Sequence, residues 1–298
     1  MIDSFLAHIK QKLLSITGYD HPNWVEIGAY ALLPFVCLLI ELLIKGYEKS
    51  SLKNLLEYPK LSWVDYCWVL IQSLNLYRLM GVVFTFGIFY FCYGKIQKTF
   101  HFNLIQKIES PWLQFLIVFI ISDFKNYIKH YVQHIWQWVW ELHKIHHSAE
   151  KMNMFNLYRS TAVETAWTSF VELIPFIVLG APATTYLWVM LLKEAHQFFL
   201  HSEINSDWGF LGKYILVSPA AHRIHHSTNP AHYGKNFGNT FIFWDRLLNT
   251  YYAPQKEETI SFGLADNPYN KGFWHDFFLS YKNALLAIKN DLQALAKK

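Results

Sequence analysis

The sequence predicts an all-α protein, a membrane-embedded helical bundle under a cytoplasmic helical cap, and three observations carry that reading. The 298 residues are 53% hydrophobic and only 16% charged, where soluble domains carry about 25% charged residues. Aromatic residues make up 18%, as suits rings anchored at a bilayer interface. Apolar runs long enough to cross a hydrocarbon core of about 30 Å alternate with polar stretches that hold most of the histidines. No Pro/Gly/Ser-rich linker divides the chain. One domain is therefore expected over residues 1–298, with membrane helices in 1–110, a histidine-bearing core in 111–251 and an amphipathic tail in 252–298. The net charge of +4 is too small to suggest nucleic acid and is compatible with a cationic face on anionic lipid. Cys37, Cys67 and Cys92 lie in apolar stretches without a paired motif, so they read as buried thiols.

Residues 1–23 begin with an amphipathic pattern, Phe5, Leu6, Ile9, Leu13 and Leu14 against Lys10 and Lys12. They form either an interfacial helix or a loosely ordered terminus. Trp24 to Ile44 reads as a membrane span that stays, since no small-residue cleavage site follows it. Pro34 is expected to kink it. Leu61 to Tyr93 is long for one span and short for two. A tilted or interfacial first part leading into a span from about Leu79 to Tyr93 is expected. Pro111 opens the next helix at a position where proline is tolerated. Trp112 to Ile121 is apolar, and the helix then runs on into the histidines.

Thr161 to Leu179 and Ala183 to Leu200 are two further apolar stretches separated by the turn signal GAPA. That turn is uncharged, while the preceding segment carries Lys125, Lys129, Lys144, Lys151 and Arg159. The positive-inside rule puts the turn outside and the histidine-rich flank on the cytoplasmic face of a multi-pass membrane protein. From Asn205 onward the chain is polar and mixed and is expected to build part of the cap. A last amphipathic helix starts near Gly272, with Phe273, Phe277, Phe278, Tyr281, Leu285 and Ile288 on one face.

Asp123 to His147 contains five histidines within 18 residues and no Gly or Pro. His130 and His134 are four apart. His143, His146 and His147 form an i, i+3, i+4 set, so each group shares a helical face. The HxxHH spacing recurs at His222, His225 and His226. A lone HxxxH is usually coincidence. Two HxxHH copies on one side of a membrane point to a metal centre, because neutral imidazole is the commonest protein metal ligand. Eight such histidines, with His201 and His196 as further candidates, suit two ions with positions left open. No thiolate joins them, which argues against iron–sulfur chemistry, and an all-imidazole set leaves iron, zinc and copper open. Asp123, Tyr127, Asp245 and Asn236 are candidates to orient ligands, or else satisfy local polar groups. His8, His21, His101 and His275 are isolated, and His232 lies near the second cluster. GxSxG, P-loop, GxGxxG and HExxH motifs are absent, so no catalytic residue is expected beyond the metal ligands.

DFKNYIKHYVQH (123–134), HKIHHS (143–148), FLHSEI (199–204), HRIHHSTNP (222–230), KNFG (235–238) and WDRLLNTY (244–251) stand in one order. Together they resemble the sterol desaturase and fatty-acid hydroxylase superfamily of integral-membrane di-iron oxygenases. The resemblance implies a bundle of about four membrane spans under a cytosolic cap. It also implies two irons held by His130, His134, His143, His146, His147, His201, His222, His225 and His226, which raises His201 above His196. Within the superfamily, NLYRS (156–160), FLHSEI and FGLADNPYN (262–270) look most like the alkylglycerol monooxygenase branch. Sterol and fatty-acid branches usually carry an RxHP-like segment where Arg159 is here followed by Ser160 and Thr161. The implied activity is O₂-dependent hydroxylation or desaturation of a membrane lipid, or ether cleavage, with an external electron donor. The branch implies tetrahydropterin as that reductant. Sterol or fatty-acyl oxidation, a zinc hydrolase on the same scaffold, and a membrane metal transporter or sensor are the competing readings.

Overall fold

A computed structural model describes residues 24–296 except 75, 86, 87, 100, 101, 256 and 257, together with Ala7 and Gln11. The expected amphipathic segment 1–23, with His8 and His21, therefore lies outside the described residues, as does His101. The described residues are helical and contain no named strand. Two isolated antiparallel bridges, Leu216–Phe241 and Ser227–Phe262, are the nearest approach to a sheet.

Thirteen α-helices follow in order among the described residues: α1 Trp24–Lys45, α2 Ser51–Glu57, α3 Pro59–Ser73, α4 Leu76–Phe84, α5 Ile88–Thr99, α6 Pro111–Ile135, α7 Gln137–His147, α8 Ala162–Leu179, α9 Ala183–Leu200, α10 Gly209–Tyr214, α11 Pro219–His225, α12 Phe243–Leu247 and α13 Phe273–Leu295. Several boundaries follow from local chemistry. Thr161 Oγ1 accepts the Glu164 N–H at the start of α8, and Ser218 Oγ accepts the Ala221 N–H ahead of Pro219 at the start of α11. Gly180 ends α8 at φ +68°, and a Cβ there would fall 2.6 Å from Asn103 Cα. Only glycine fits both constraints, and the GAPA turn forms as the sequence predicts.

The stretch 61–93 differs from expectation. Its predicted span is broken into α4 and α5, and Thr85 Oγ1 donates to Gly81 O at 2.7 Å where α4 ends. Gly81 packs α4 against α8, since a Cβ there would lie 2.9 Å from Ala166 Cβ. A small residue that permits this approach also weakens the helix it sits in. Among the described residues two helices, α1 and α8, are long and apolar enough to cross a membrane by length and composition.

The surface of the bundle is apolar in the manner of a lipid-facing one. Along α1, Leu32, Phe35, Val36, Leu39, Leu43 and Ile44 are exposed, while Glu41 is fully buried. The outer side of α6 exposes Leu113, Leu116, Phe124, Ile128, Tyr131 and Ile135. So large an apolar surface marks contact with something other than water. The inward side of α6 is polar. Gln133 Nε2 donates to Glu164, Lys129 Nζ to Thr168 at 3.5 Å, and Lys125 pairs with Glu172. Glu172 also accepts from Ser122 and Lys193, each at 2.8 Å. Glu164, Thr168 and Glu172 are four residues apart, so one face of α8 carries the whole ladder.

Arg159, from the NLYRS segment, ties α3 to the chain after α7 and the chain before α13. Its guanidinium donates to Asp65 Oδ1 at 2.5 Å, Leu61 O at 3.0 Å, Ser148 Oγ at 3.1 Å and Asn270 Oδ1 at 2.9 Å. Asp65 further accepts from Asn153 and Asn156. Arg159 is 2% exposed and Asp65 1%, so neither charge has water to fall back on. Around the hub, Trp68, Phe155, Tyr158, Phe198, Phe273 and Phe277 form the main apolar core. The amphipathic α13 lies along α7. Arg159→Ala should cost about 3–5 kcal/mol by stranding the Asp65 carboxylate. Breaking the exposed Lys53–Glu48 pair should leave the thermal midpoint in detergent unchanged. Equal midpoints for the two variants would contradict the hub.

Candidate metal centre

The histidines reach one place because two helices meet at a corner. α6 ends at Trp136, whose extended backbone (φ −92°, ψ 115°) separates it from α7. The Asp123–His147 stretch is thus bent once, and the bend turns the α7 face toward the last turns of α6. His201 caps the C-terminal end of α9, and His222, His225 and His226 sit on or directly after the short α11.

Two groups of four result. His130, His134, His147 and His225 place one ring nitrogen each within 4.8 Å of one another, and so do His146, His201, His222 and His226. Each HxxHH motif is split between the groups. His147 leaves His146 for the first, and His225 leaves His222 and His226 for the same one. His143 stands beside both, its ring centroid 5.1 Å from those of His134 and His146.

The arrangement fits metal ions on two grounds. Nε2 of His134, His143, His147 and His225 are buried without a hydrogen-bond partner, a costly condition unless something else binds them. In the second group, His201 Nε2 lies 3.3 Å from His146 Nε2 and 3.2 Å from His222 Nε2, and His226 Nε2 lies 3.1 Å from His222 Nε2. Four converging ring nitrogens cannot satisfy one another by hydrogen bonds. Their spacing matches the roughly 3.0–3.4 Å edge of a coordination polyhedron with metal–nitrogen bonds of about 2.1 Å.

Opposite ring nitrogens are fixed by the protein. Nδ1 donates from His130 to Phe237 O (2.9 Å), from His201 to Gln197 O (2.9 Å) and from His225 to Lys235 O (3.0 Å). His143 Nδ1 donates to the Glu164 carboxylate at 2.5 Å. Each bond sets the tautomer that leaves Nε2 free. Burial is the main force on the imidazole pKa values. It holds all nine below the usual histidine range, with His201 and His225 near 4. Neighbouring imidazoles push several of them further down. The rings are therefore neutral and ready to bind metal near pH 7.

The candidates for orienting residues act at one remove. The Asp123 carboxylate accepts from the backbone N–H of Thr240 and Phe241 and from Trp244 Nε1. Asp245 accepts from the N–H groups of Phe237 and Gly238 and from Thr250 Oγ1. Asn236, at φ +56°, bonds Ala221 O and both N–H and O of Tyr252. These three residues shape the loop whose Lys235 and Phe237 carbonyls hold His225 and His130. Gly238 is required there, because a Cβ would lie 2.7 Å from Asp245 Oδ2. Tyr127 bonds Thr250. Both nitrogens of His196 face carbonyls, Asn239 O and Val217 O, so it braces the same loop. His232 pairs with Glu258, and His275 with Asp276.

Glu164 and Gln133 belong to the site and were not anticipated. The signal for Glu164 was a carboxylate three residues after Thr161, a capping-box spacing at the mouth of an apolar stretch.

Residues 115–250 match the fatty acid hydroxylase family. Among curated proteins, the chain is 32% identical over 159 residues to an alkylglycerol monooxygenase of Caenorhabditis elegans, covering 53% of this chain and 31% of that protein. It is 30% identical over 192 residues to the alkylglycerol monooxygenase of Danio rerio, 63% of this chain and 41% of that one. It is 28% identical over 151 residues to ornithine lipid hydroxylase OlsE of Rhizobium tropici, 51% of this chain and 45% of that one. The chain thus spans less than half the length of each of these relatives. No solved structure matches.

The pH response of the metal-free protein tests the burial of the imidazoles. An unfolded histidine titrates near 6.5, whereas the folded ones titrate lower. Below that pH the unfolded chain binds more protons, so acid favours unfolding. The thermal midpoint of metal-free protein should fall steadily as pH drops from about 6.5 toward 4. A flat midpoint across that window would mean the rings titrate as though solvated.

Proposed function

Because the chain belongs to the fatty acid hydroxylase superfamily, on its alkylglycerol monooxygenase side, we propose that it is a membrane-bound di-iron oxygenase that uses O₂ to oxidise a C–H bond of a membrane lipid. The observation that carries this reading is the pair of four-imidazole groups, each with its free ring nitrogens turned inward. The nine ligands are His130, His134, His143 and His147 with His225, and His146 with His201, His222 and His226. Two iron ions held there would supply the redox chemistry that activates O₂, with electrons from an external donor. A tetrahydropterin is the reductant proposed for that role, as the resemblance to the alkylglycerol monooxygenase branch implies.

The chain's own residues do the rest. The neutral imidazoles hold metal without spending protons. The Phe237, Lys235 and Gln197 carbonyls and the Glu164 carboxylate keep the His130, His225, His201 and His143 rings from rotating. Apolar outer faces of α1 and α6 suit a multi-pass protein in which the lipid is reached from the bilayer, with the histidine face cytoplasmic. Hydroxylation beside an ether oxygen would give a hemiacetal that collapses to an aldehyde and an alcohol. At an ordinary methylene the same oxidation would stop at the alcohol, and the ornithine lipid hydroxylase relative supports keeping that outcome open. A metal transporter or sensor is disfavoured by the depth of enclosure, since all nine rings are buried or nearly so and four of them are locked by bonds at Nδ1.

Protein purified without oxygen should hold about two irons per chain and should oxidise an alkylglycerol or a fatty-acyl lipid when O₂ and a reduced pterin are supplied. His225→Ala should abolish turnover, a loss of at least about a thousandfold, and should lower the iron content. Full metal loading by zinc together with no O₂ uptake on any lipid would sink the oxygenase reading.

A further inference from the structure

A second site opens behind the metal centre. A cavity of about 590 Å³ lies between the C-terminal end of α1, the loop after α7 and the outward side of α11. Its walls include Lys45, Lys49, Lys151, Glu203, Arg223 and Phe262. Three of these stand close in sequence to candidate ligands: Lys151 follows His147 by four residues, Glu203 follows His201 by two, and Arg223 follows His222 directly.

The charges around this cavity are unequally spent. Glu203 is held by Arg223 Nη2 at 3.1 Å and by Asn54 Nδ2 at 2.7 Å. Of the other two carboxylates on its wall, Glu48 pairs with Lys53, and Glu150 accepts from Asn267 and Asn270. Lys45, Lys49 and Lys151 pair with no carboxylate among the described residues. Arg223 is only 7% exposed and lies 5.3 Å from the Phe262 ring. Its Nε is buried without a partner. A buried guanidinium nitrogen in that state calls for an acceptor.

We propose that this cavity binds the phosphate group of a membrane phospholipid. Unspent lysines and an orphaned guanidinium N–H define an oxyanion site, and the place of Lys45 selects a lipid source. Leu43 and Ile44, just before it, are 78% and 61% exposed, so the apolar surface that meets the bilayer ends at this lysine. Headgroup phosphates lie at that level, where a basic residue gains most from anionic lipid. The inference rests on the membrane-lipid reading above and narrows it to phosphate-bearing lipids.

The test uses the full chain in detergent. Binding of 1-O-hexadecylglycerol 3-phosphate is compared with that of 1-O-hexadecylglycerol, in the unaltered protein and in the Lys45→Gln, Lys49→Gln, Lys151→Gln triple variant. These lysines touch no histidine cluster, so metal content checks that the variant is folded. The phosphate-bearing lipid should bind at least about tenfold tighter, and the gap should shrink to about threefold or less in the metal-loaded variant. Equal affinities in the unaltered protein, or a gap that survives in the variant, would overturn the assignment. Inorganic phosphate alone should not raise the thermal midpoint. A lysine-dependent rise with phosphate and no difference between the two lipids would mean a soluble phosphate compound is the ligand and would remove the lipid assignment. None of these measurements needs turnover. A preserved gap with no oxygenation would count against the oxygenase reading alone.

Discussion

Nine imidazoles can share so small a volume only if the rings are neutral, with one nitrogen of each turned inward. That constraint organises the rest of the molecule. A charged ring there would meet several others with no solvent to screen it. Burial prevents this, because the desolvation that lowers the pKa values also keeps the rings apart from water. Rotation of four rings is prevented by acceptors on the far side, and two of these come from one loop, residues 235–240. The loop in turn hangs from two carboxylates, Asp123 and Asp245, that accept its backbone N–H groups. Buried acids thus serve the centre by shaping the backbone around it.

Much of this was legible in the residues. HxxHH spacing marks the ligand faces because a helix brings i, i+3 and i+4 together whatever else surrounds it. The GAPA turn and the two apolar stretches flanking it follow from local chemistry alone. The candidate ligands were likewise readable through spacing and family resemblance. What was not legible is which histidines meet. Sequence spacing pairs His147 with His146, whereas the fold pairs His147 with His130, His134 and His225. That partition depends on the corner at Trp136 and on the docking of α11, which are tertiary facts.

Glu164 escaped notice for the same reason. In sequence it is a lone acid at the edge of an apolar stretch, and only the packing of α8 against α6 and α7 brings it to His143 and Gln133. The break in 76–99 shows the converse. Composition favours one continuous span there, but Gly81 is spent on close packing with α8, and the helix stops at Thr85. Local propensity sets what a segment is able to do, and the neighbours decide what it does.

The exchange of histidines between the two groups has a consequence for how the protein is made. Neither group can close from a single stretch of chain, since the first waits for His225 and the second for His201, His222 and His226. During synthesis His147 emerges about 80 residues before the last partner, His226, a delay of several seconds at the usual rate of elongation. Completion of either four-histidine group is therefore a late event, coupled to the arrival of α9 and α11.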